Sequence, residues 1–302
     1  MPNRKLVNRF IKFLRTSHGV ARNSMRRYSN KFSRHDFTQH QLMSLSCLRK
    51  RLRMRYREFI ELLELIPKVM GELGLSKLPH FTTLQKFLKR VGTAMLDRLL
   101  CQTIKLFDIQ NPWIAGDGTG HACSHASLYY AKKLKKHKKR RRKHYTKNSI
   151  AVDADKQVIV AHRVRKGPKH DSKDAAPILR KTKRLKPKGV SLDKAYDAEY
   201  IHKVIREELK AESQIPIRKN KALTGEYRQM MLTELDKKKY HRRSIVETVI
   251  SVEKRVLGDA NYSRSDRMRN KEGKLRNICY NIYRSTVVFI SEILKDFYKA
   301  DF

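Results

Sequence analysis

The stretch NPWIAGDGTG, residues 111–120, is where the chain changes character. Before it, apolar residues recur at three- and four-residue steps, which is a helical period. From Trp113 they run together and end in Asp117 with glycines behind it, the pattern of a buried strand closed by a turn. Further strands are expected at Ile150–Val152 and Val158–Val164, joined through a hairpin turn at Asp153–Lys156. The rest alternates: a helix over about 173–184, a strand over 189–192, a helix over 198–209, a strand over 214–218 and a helix from about His241. Three leading strands followed by alternating helices and strands give an α/β domain whose sheet starts antiparallel and continues parallel.

Upstream of residue 105, Leu45, Leu48, Leu52, Tyr56, Phe59, Ile60 and Leu63 predict a helix over about 39–66, interrupted by Pro67 and Gly71. A second helix is announced at Thr82, with Gln85 placed to complete a capping box. The pair forms a small helical unit, either a helix-turn-helix or a bundle that only packs. The expected organisation is a basic N-terminal arm over 1–38, a helical region over 39–104 and an α/β domain over 105–302 with a basic loop at about 121–149.

Composition narrows the partners. Among 302 residues, 70 are Lys or Arg and 29 are Asp or Glu, a formal net charge of +41. At 40% hydrophobic residues the chain can build a core, so wholesale disorder is excluded. So positive a surface repels itself unless a polyanion neutralises it, and nucleic acid is the first candidate. No apolar run approaches the roughly 20 residues that cross a bilayer. Four scattered cysteines, without a C-x-x-C pair, signal neither a disulfide framework nor a zinc ribbon and fit a reducing, cytoplasmic setting. The first 35 residues hold ten Lys or Arg and no acid, as transit peptides also do, but the basic excess continues along the whole chain. Residues 132–143 carry ten Lys or Arg in twelve positions, and Arg140, Arg141 and Arg142 are candidates for tracking phosphates.

Three acids stand out by position. Asp117 and Asp193 each end an expected strand, and ligands of open α/β sheets sit at such carboxyl ends. Glu247 comes from the later helix. At roughly 100° per residue, Tyr240, Arg243, Glu247 and Lys254 share one stripe about 60° wide, whereas Glu253 falls within the apolar arc. Glu247 is therefore the functional acid if the helix is regular there. Three carboxylates together would repel by about 4 kcal/mol per pair at about 4 Å and an effective dielectric of about 20. Divalent cations with hard oxygen ligands relieve this, and two of them can assist phosphoryl transfer.

The spacing Tyr240-x2-Arg243-x3-Glu247-x6-Lys254 resembles the Y-R-E-K motif of insertion-sequence transposases with an Asp-Asp-Glu site. Asp117-Gly-Thr119 resembles that family's first acidic motif and Asp193-Lys-Ala-Tyr-Asp197 its second. The resemblance spans about residues 105–290, which makes 105–302 the catalytic domain, and the helical region over 39–104 resembles the family's DNA-binding part. It implies an RNase H-like fold, Asp117, Asp193 and Glu247 as ligands of two Mg²⁺ or Mn²⁺ ions, and cut-and-paste transposition of the element that encodes the chain. The expected partners are double-stranded DNA, both element ends and target, and a homodimer in a synaptic complex. The expected location is the cytoplasm, in association with the nucleoid. Arg243, Lys254 and Lys194 are expected on phosphates, and Tyr240 on a phosphate, sugar or base. Only 53 residues separate Asp193 from Glu247, too few for the large β-rich insert of some relatives in the wider class. The alternative is a catalytically silent, domesticated DNA-binding protein of the same fold; a general RNA-associated basic protein is a second rival.

Smaller expectations complete the reading. His121, Cys123 and His125 alternate like soft-metal ligands, but a loop beside the acids explains them better than zinc. His170-Asp171-Ser172 is expected to cap a helix, with contact to the acid site as the minority reading. Trp113 is expected in the core.

Overall fold

The computed structural model describes residues 8–123, 145–218 and 222–300. Arg140, Arg141, Arg142 and the rest of the 132–143 run, together with His125, lie outside the described residues. The chain divides into two compact units: residues 1–107 with 278–302, and residues 108–277. Residues 278–302 thus group with the helices, not with the sheet.

The first unit is helical: α1 (Arg9–Arg22), α2 (Gln39–Leu52), α3 (Tyr56–Glu64), α4 (Pro67–Leu73), α5 (Phe81–Arg90) and α6 (Thr93–Ile104). Residues 9–22, expected within a basic arm, form a packed helix. Phe13, Leu14, Val20 and Ala21 recur at helical spacing and are buried, and Asn8 caps the first turn by accepting from Phe10 N and Ile11 N. The helix expected over 39–66 is broken after Leu52, where Arg53 takes a left-handed conformation (φ 59°) and Arg55 starts α3. The apolar period runs on across the break and conceals it. The capping box forms at Thr38 with Gln41 rather than at Thr82 with Gln85; Thr82 instead pairs its hydroxyl with the His80 ring at 2.8 Å, and α5 begins at Phe81.

In the second unit, β1 (Trp113–Cys123), β2 (Tyr145–Asp153) and β3 (Val158–Lys166) are antiparallel neighbours, and β4 (Gly189–Leu192) and β5 (Glu212–Gln214) continue the sheet in parallel. The spatial order is β3-β2-β1-β4-β5, and β6 (Ala260–Asn261) pairs with the far end of β1. This is the RNase H-like mixed sheet that the resemblance implies. Its helices are α7 (Ser172–Thr182), α8 (Glu199–Lys203, continuing as a π turn to Glu208), α9 (Glu226–Glu234), α10 (Lys237–His241), α11 (Ser244–Leu257) and the part of α12 (Asp266–Ala300) before residue 278.

Two expectations are corrected. Asp117 does not end its strand, because β1 continues to Cys123 along β2, from Asp117 opposite Ile150 to Ala122 opposite Tyr145. The glycines that look like turn formers serve close approach instead: a Cβ on Gly120 would meet the Tyr145 ring at 3.0 Å, and one on Gly118 would meet Asp171 at 2.9 Å. The fifth strand lies at 212–214, not 214–218. The hairpin turn at Asp153 forms as expected, with the Asp153 carboxylate accepting from Asp155 N at 3.0 Å. Side chains alternate along β1, so Asp117 and His121 face one side of the sheet and Gly118 and Gly120 the other. Glu253 of α11 reaches His121 on the first face, and Asp174 of α7 reaches Ser149, the partner of Gly118, on the second. Helices therefore cover both faces.

Candidate active site

Strand pairing brings the first two acids together. β1 and β4 are parallel with Gly116 opposite Leu192, so the next residues of the two chains, Asp117 and Asp193, leave the paired segment side by side. Asp193 then opens a 3-10 turn over Lys194–Tyr196. Asp117 is half-buried, and one of its oxygens accepts from Gly118 N at 2.7 Å. Burial pushes the Asp117 carboxyl above its usual range; the Gly118 N–H and the Arg243 charge oppose this, and the charges of Asp193 and Asp171 add to it.

The third acid arrives on the first turn of α11, and Arg243 is what ties it to the others. Arg243 Nη2 donates to Glu247 Oε1 at 2.7 Å, while Nη1 lies 3.6 Å from Asp117 Oδ2. The guanidinium also feels the charge of Asp193; burial works against its charge, and the Glu247 carboxylate more than compensates. Side chains from β1 and α11 thus meet at one cation, and the end of β4 brings Asp193 alongside Asp117. Among the described residues, no three His, Cys, Asp or Glu side chains stand together closely enough to hold a metal ion as placed. Of the two glutamates on α11, Glu253 is buried and lies 3.7 Å from His121 and 3.5 Å from Arg276, whereas Glu247 is 57% exposed at its side chain.

The family model described as Transposase DDE domain matches residues 112–282, more than half of the chain. The chain belongs to the transposase DDE-domain family. A comparison with curated proteins found no match. The DDE-domain family is one of DNA transposition and recombination, so the chain is assigned as a transposase acting on DNA, in a family that uses divalent metal ions. Among the described residues, no helix is long and apolar enough to cross a membrane.

The other candidates of this DDE domain spread further than one helical stripe allows. Tyr240 belongs to α10, and the chain turns at Arg242 and Arg243 before α11 starts at Ser244, so the angular argument holds from Ser244 onward and not back to Tyr240. At the break the backbone tightens to three-residue hydrogen bonds, from Arg242 N to the Lys239 carbonyl and from Arg243 N to that of Tyr240, and the Arg242 side chain pairs with Asp155. Lys254 lies with its amine 3.3 Å from Asp259 and 3.4 Å from the Gly120 carbonyl, beside the far half of β1. Lys194 is exposed on the turn after Asp193.

Lys147, Asp174 and Tyr196, near the DDE-domain acids, have no expected role at the site, and Asp171 has one only as a minority reading. Lys147, nearly buried on β2, places its amine 2.5 Å from Asp171 and 3.4 Å from Asp174. Asp174 is fully buried and also meets Arg163 at 3.2 Å and Arg165 at 2.8 Å, a charged pedestal on the sheet face opposite Asp117. Asp171 makes no side-chain cap at the start of α7, so its expected capping role is not observed; its charge acts instead on Asp117. Tyr196 is buried, and burial together with Asp117, Asp171, Asp174 and Asp193 drives its phenol well above its usual range. The His-Asp-Ser motif at 170–172 was the one sequence signal for Asp171; Lys147 left none. His121 and Cys123, expected in a loop beside the acids, lie instead on β1, and His121 is fully buried between Glu253 and Asp259. Trp113 is core as expected, donating to Ser191 Oγ at 2.8 Å.

Proposed function

We propose that this DDE-domain protein is an insertion-sequence transposase of the Y-R-E-K branch, which hydrolyses one strand at the element end and then joins the freed 3′-hydroxyl to target DNA. The observation that supports the reading is Arg243 standing between Asp117 and Glu247, with Asp193 following β4 in register beside Asp117. Their donor chemistry fits a hard divalent ion, since all three offer carboxylate oxygens and Asp117 already sits where negative charge is under-compensated. Asp117, Asp193 and Glu247 would hold two Mg²⁺ or Mn²⁺ ions, which when bound activate the attacking oxygen and stabilise the leaving one.

The chain's own groups do the rest. Arg243 is the nearest cation to the acids and suits the fork of a phosphate, bidentately. Lys254, beside Gly120, supplies a point charge further along the same strand, and Lys194 one beside Asp193. Tyr240, half-exposed on α10, offers its hydroxyl to a phosphate or its ring to a sugar or base. Because the acids act as ligands, no covalent enzyme intermediate forms. Two copies are expected to pair the two element ends in a synaptic complex. The test uses the full chain, a labelled duplex carrying an element end, and Mg²⁺ or Mn²⁺. Asp117→Asn and Glu247→Gln should retain DNA binding and lose strand cleavage; near wild-type cleavage by either variant would remove it from the site.

A further inference from the structure

Helix α10 owes its place to its neighbours. It has five residues, far below the roughly 12–15 at which an isolated helix is even marginal in water. Its first turn is Lys237, Lys238 and Lys239, the sign that the N-terminal end of a helix dipole disfavours, and only the Asp236 cap offsets it. Asp236 N donates to Gln214 Oε1 of β5 at 2.9 Å, and Glu212 holds the Lys239 amine at 2.8 Å. The first bond fixes the start of α10. The second acts through a flexible stem, so neither fixes the backbone where α10 gives way to α11.

Ser191 supplies that bond. Trp113 pairs in register with Gly189, and the missing side chain lets the indole lie across β4, where a Cβ would stand 2.3 Å from the ring. Its Nε1 thereby donates to Ser191 Oγ at 2.8 Å. The hydroxyl keeps its own proton and donates it to the Lys239 carbonyl at 2.9 Å. Ser191 is fully buried, away from the water that would compete for it. The same carbonyl accepts from Arg242 N at 3.3 Å, and the Arg242 guanidinium lies 5.2 Å from the indole centroid. One hydroxyl therefore joins β1 and β4 to the turn from which Arg243 reaches Asp117 and Glu247. We propose that Ser191, oriented by Trp113, is a positioning residue: it clips the turn over 239–243 to β4, two residues before Asp193, and so sets where Arg243 and Glu247 stand relative to the two aspartates. This rests on the proposed function for the use made of those groups, while the clip itself does not. A reacting geometry displaced by about 1 Å can lose about 10²-fold in rate, which is how a hydroxyl outside the acids acts on cleavage.

The test compares the full wild-type chain with Ser191→Ala and with a matched control, Thr182→Val. The control deletes another fully buried hydroxyl, one that donates to the Leu179 carbonyl at 2.7 Å on α7. Three quantities are read: amide hydrogen exchange over 239–247, affinity for a labelled duplex carrying an element end, and strand cleavage at saturating DNA with Mn²⁺. Ser191→Ala should speed exchange over 239–247 about tenfold and lower cleavage about ten- to hundredfold, with the dissociation constant within about twofold of wild type. Thr182→Val should match wild type in all three. Wild-type exchange or wild-type cleavage in Ser191→Ala overturns the proposal. An equal loss in the control, or a loss of DNA affinity as large as that of cleavage, overturns it too, because the hydroxyl would then serve stability alone. If Ser191→Ala does not fold, Trp113→Phe takes its place: it keeps the ring, withdraws the orienting donor and should show both changes at about threefold or more, and wild-type exchange there overturns the clip. A wild-type chain that binds the duplex without cleaving it overturns the proposed function, and the exchange pattern alone then decides the clip.

Discussion

The turn that carries Asp193 is closed at its other end by Asp197, and replacing the partner of Asp197 tests how that turn is held. Arg228 donates Nε to Asp197 Oδ1 at 2.7 Å and Nη2 to Oδ2 at 2.9 Å, and Arg218 N adds a third bond at 2.9 Å. The two charged side chains are 2% and 0% exposed. Arg228 also donates to the carbonyls of Ala222 and Thr224, tying in the chain before α9. Arg228→Met keeps much of the stem and strands a buried carboxylate, a change that destabilises by about 3–5 kcal/mol. At about 2–4 °C per kcal/mol for a unit of this size, the melting temperature should fall by about 6–20 °C. Acid should narrow the gap. Burial alone would raise the Asp197 carboxyl, but the Arg228 and Arg218 hydrogen bonds overcome it and hold the group below its usual range. A carboxyl lowered by folding contributes stability above its unfolded pKa of about 3.9, and that contribution is lost as pH falls through the folded value. Thermal melts of both proteins at neutral pH and below pH 4 measure this. A loss under about 1 kcal/mol at neutral pH, or a gap that does not shrink in acid, would refute the reasoning.

The two glutamates of α11 should separate cleanly. Glu247→Gln, at an exposed position, should change stability by no more than about 0.5 kcal/mol, whereas Glu253→Gln, buried against His121 and Arg276, should destabilise by about 3–5 kcal/mol; equal melting curves would contradict the placement of the helix. Gly189→Ala would put a Cβ 2.3 Å from the Trp113 ring and should lower stability by about 1–3 kcal/mol, read by denaturant titration. DNA affinity should drop by about 10³–10⁵ between about 50 and 200 mM salt if roughly 6–10 phosphates are engaged, and a flat response in a filter-binding series would argue against DNA as the partner.

The succession of the first four strands could be read because each has a distinct local pattern, from Trp113–Asp117 to Gly189–Leu192. That Glu253 turns inward and Glu247 outward needed only helical periodicity, since both lie within α11 itself. What periodicity cannot convey is where it stops. Arg53 and Arg242 interrupt their helices through a left-handed backbone and a tertiary ion pair, neither of which leaves a trace in the spacing of apolar residues. Thr38 and Thr82 carry the same T-x-x-Q signature, and only the first becomes a capping box, because the His80 ring engages the second hydroxyl. Lys147 escaped notice because its role depends on a charge delivered from Asp171 and Asp174, beyond β3, which spacing along a single strand cannot report. Helices α9 and α12 had no expected counterpart either. Arg228 illustrates the difficulty in α9, where a buried cation stands at a position that composition alone assigns to water.

β1 lives two lives along its length. Through Gly116 it has neighbours on both flanks; from Asp117 to His121 it keeps β2 on one flank while β4 has ended and β6 has not begun. The first carboxylate therefore stands on a strand still paired along β2, at the very step where that strand acquires an open border. Its two companions ride on more adjustable mounts, a tight turn and the opening coil of a helix. Adjustment to an incoming backbone should fall on those two, with Asp117 serving as the fixed jaw of a vice.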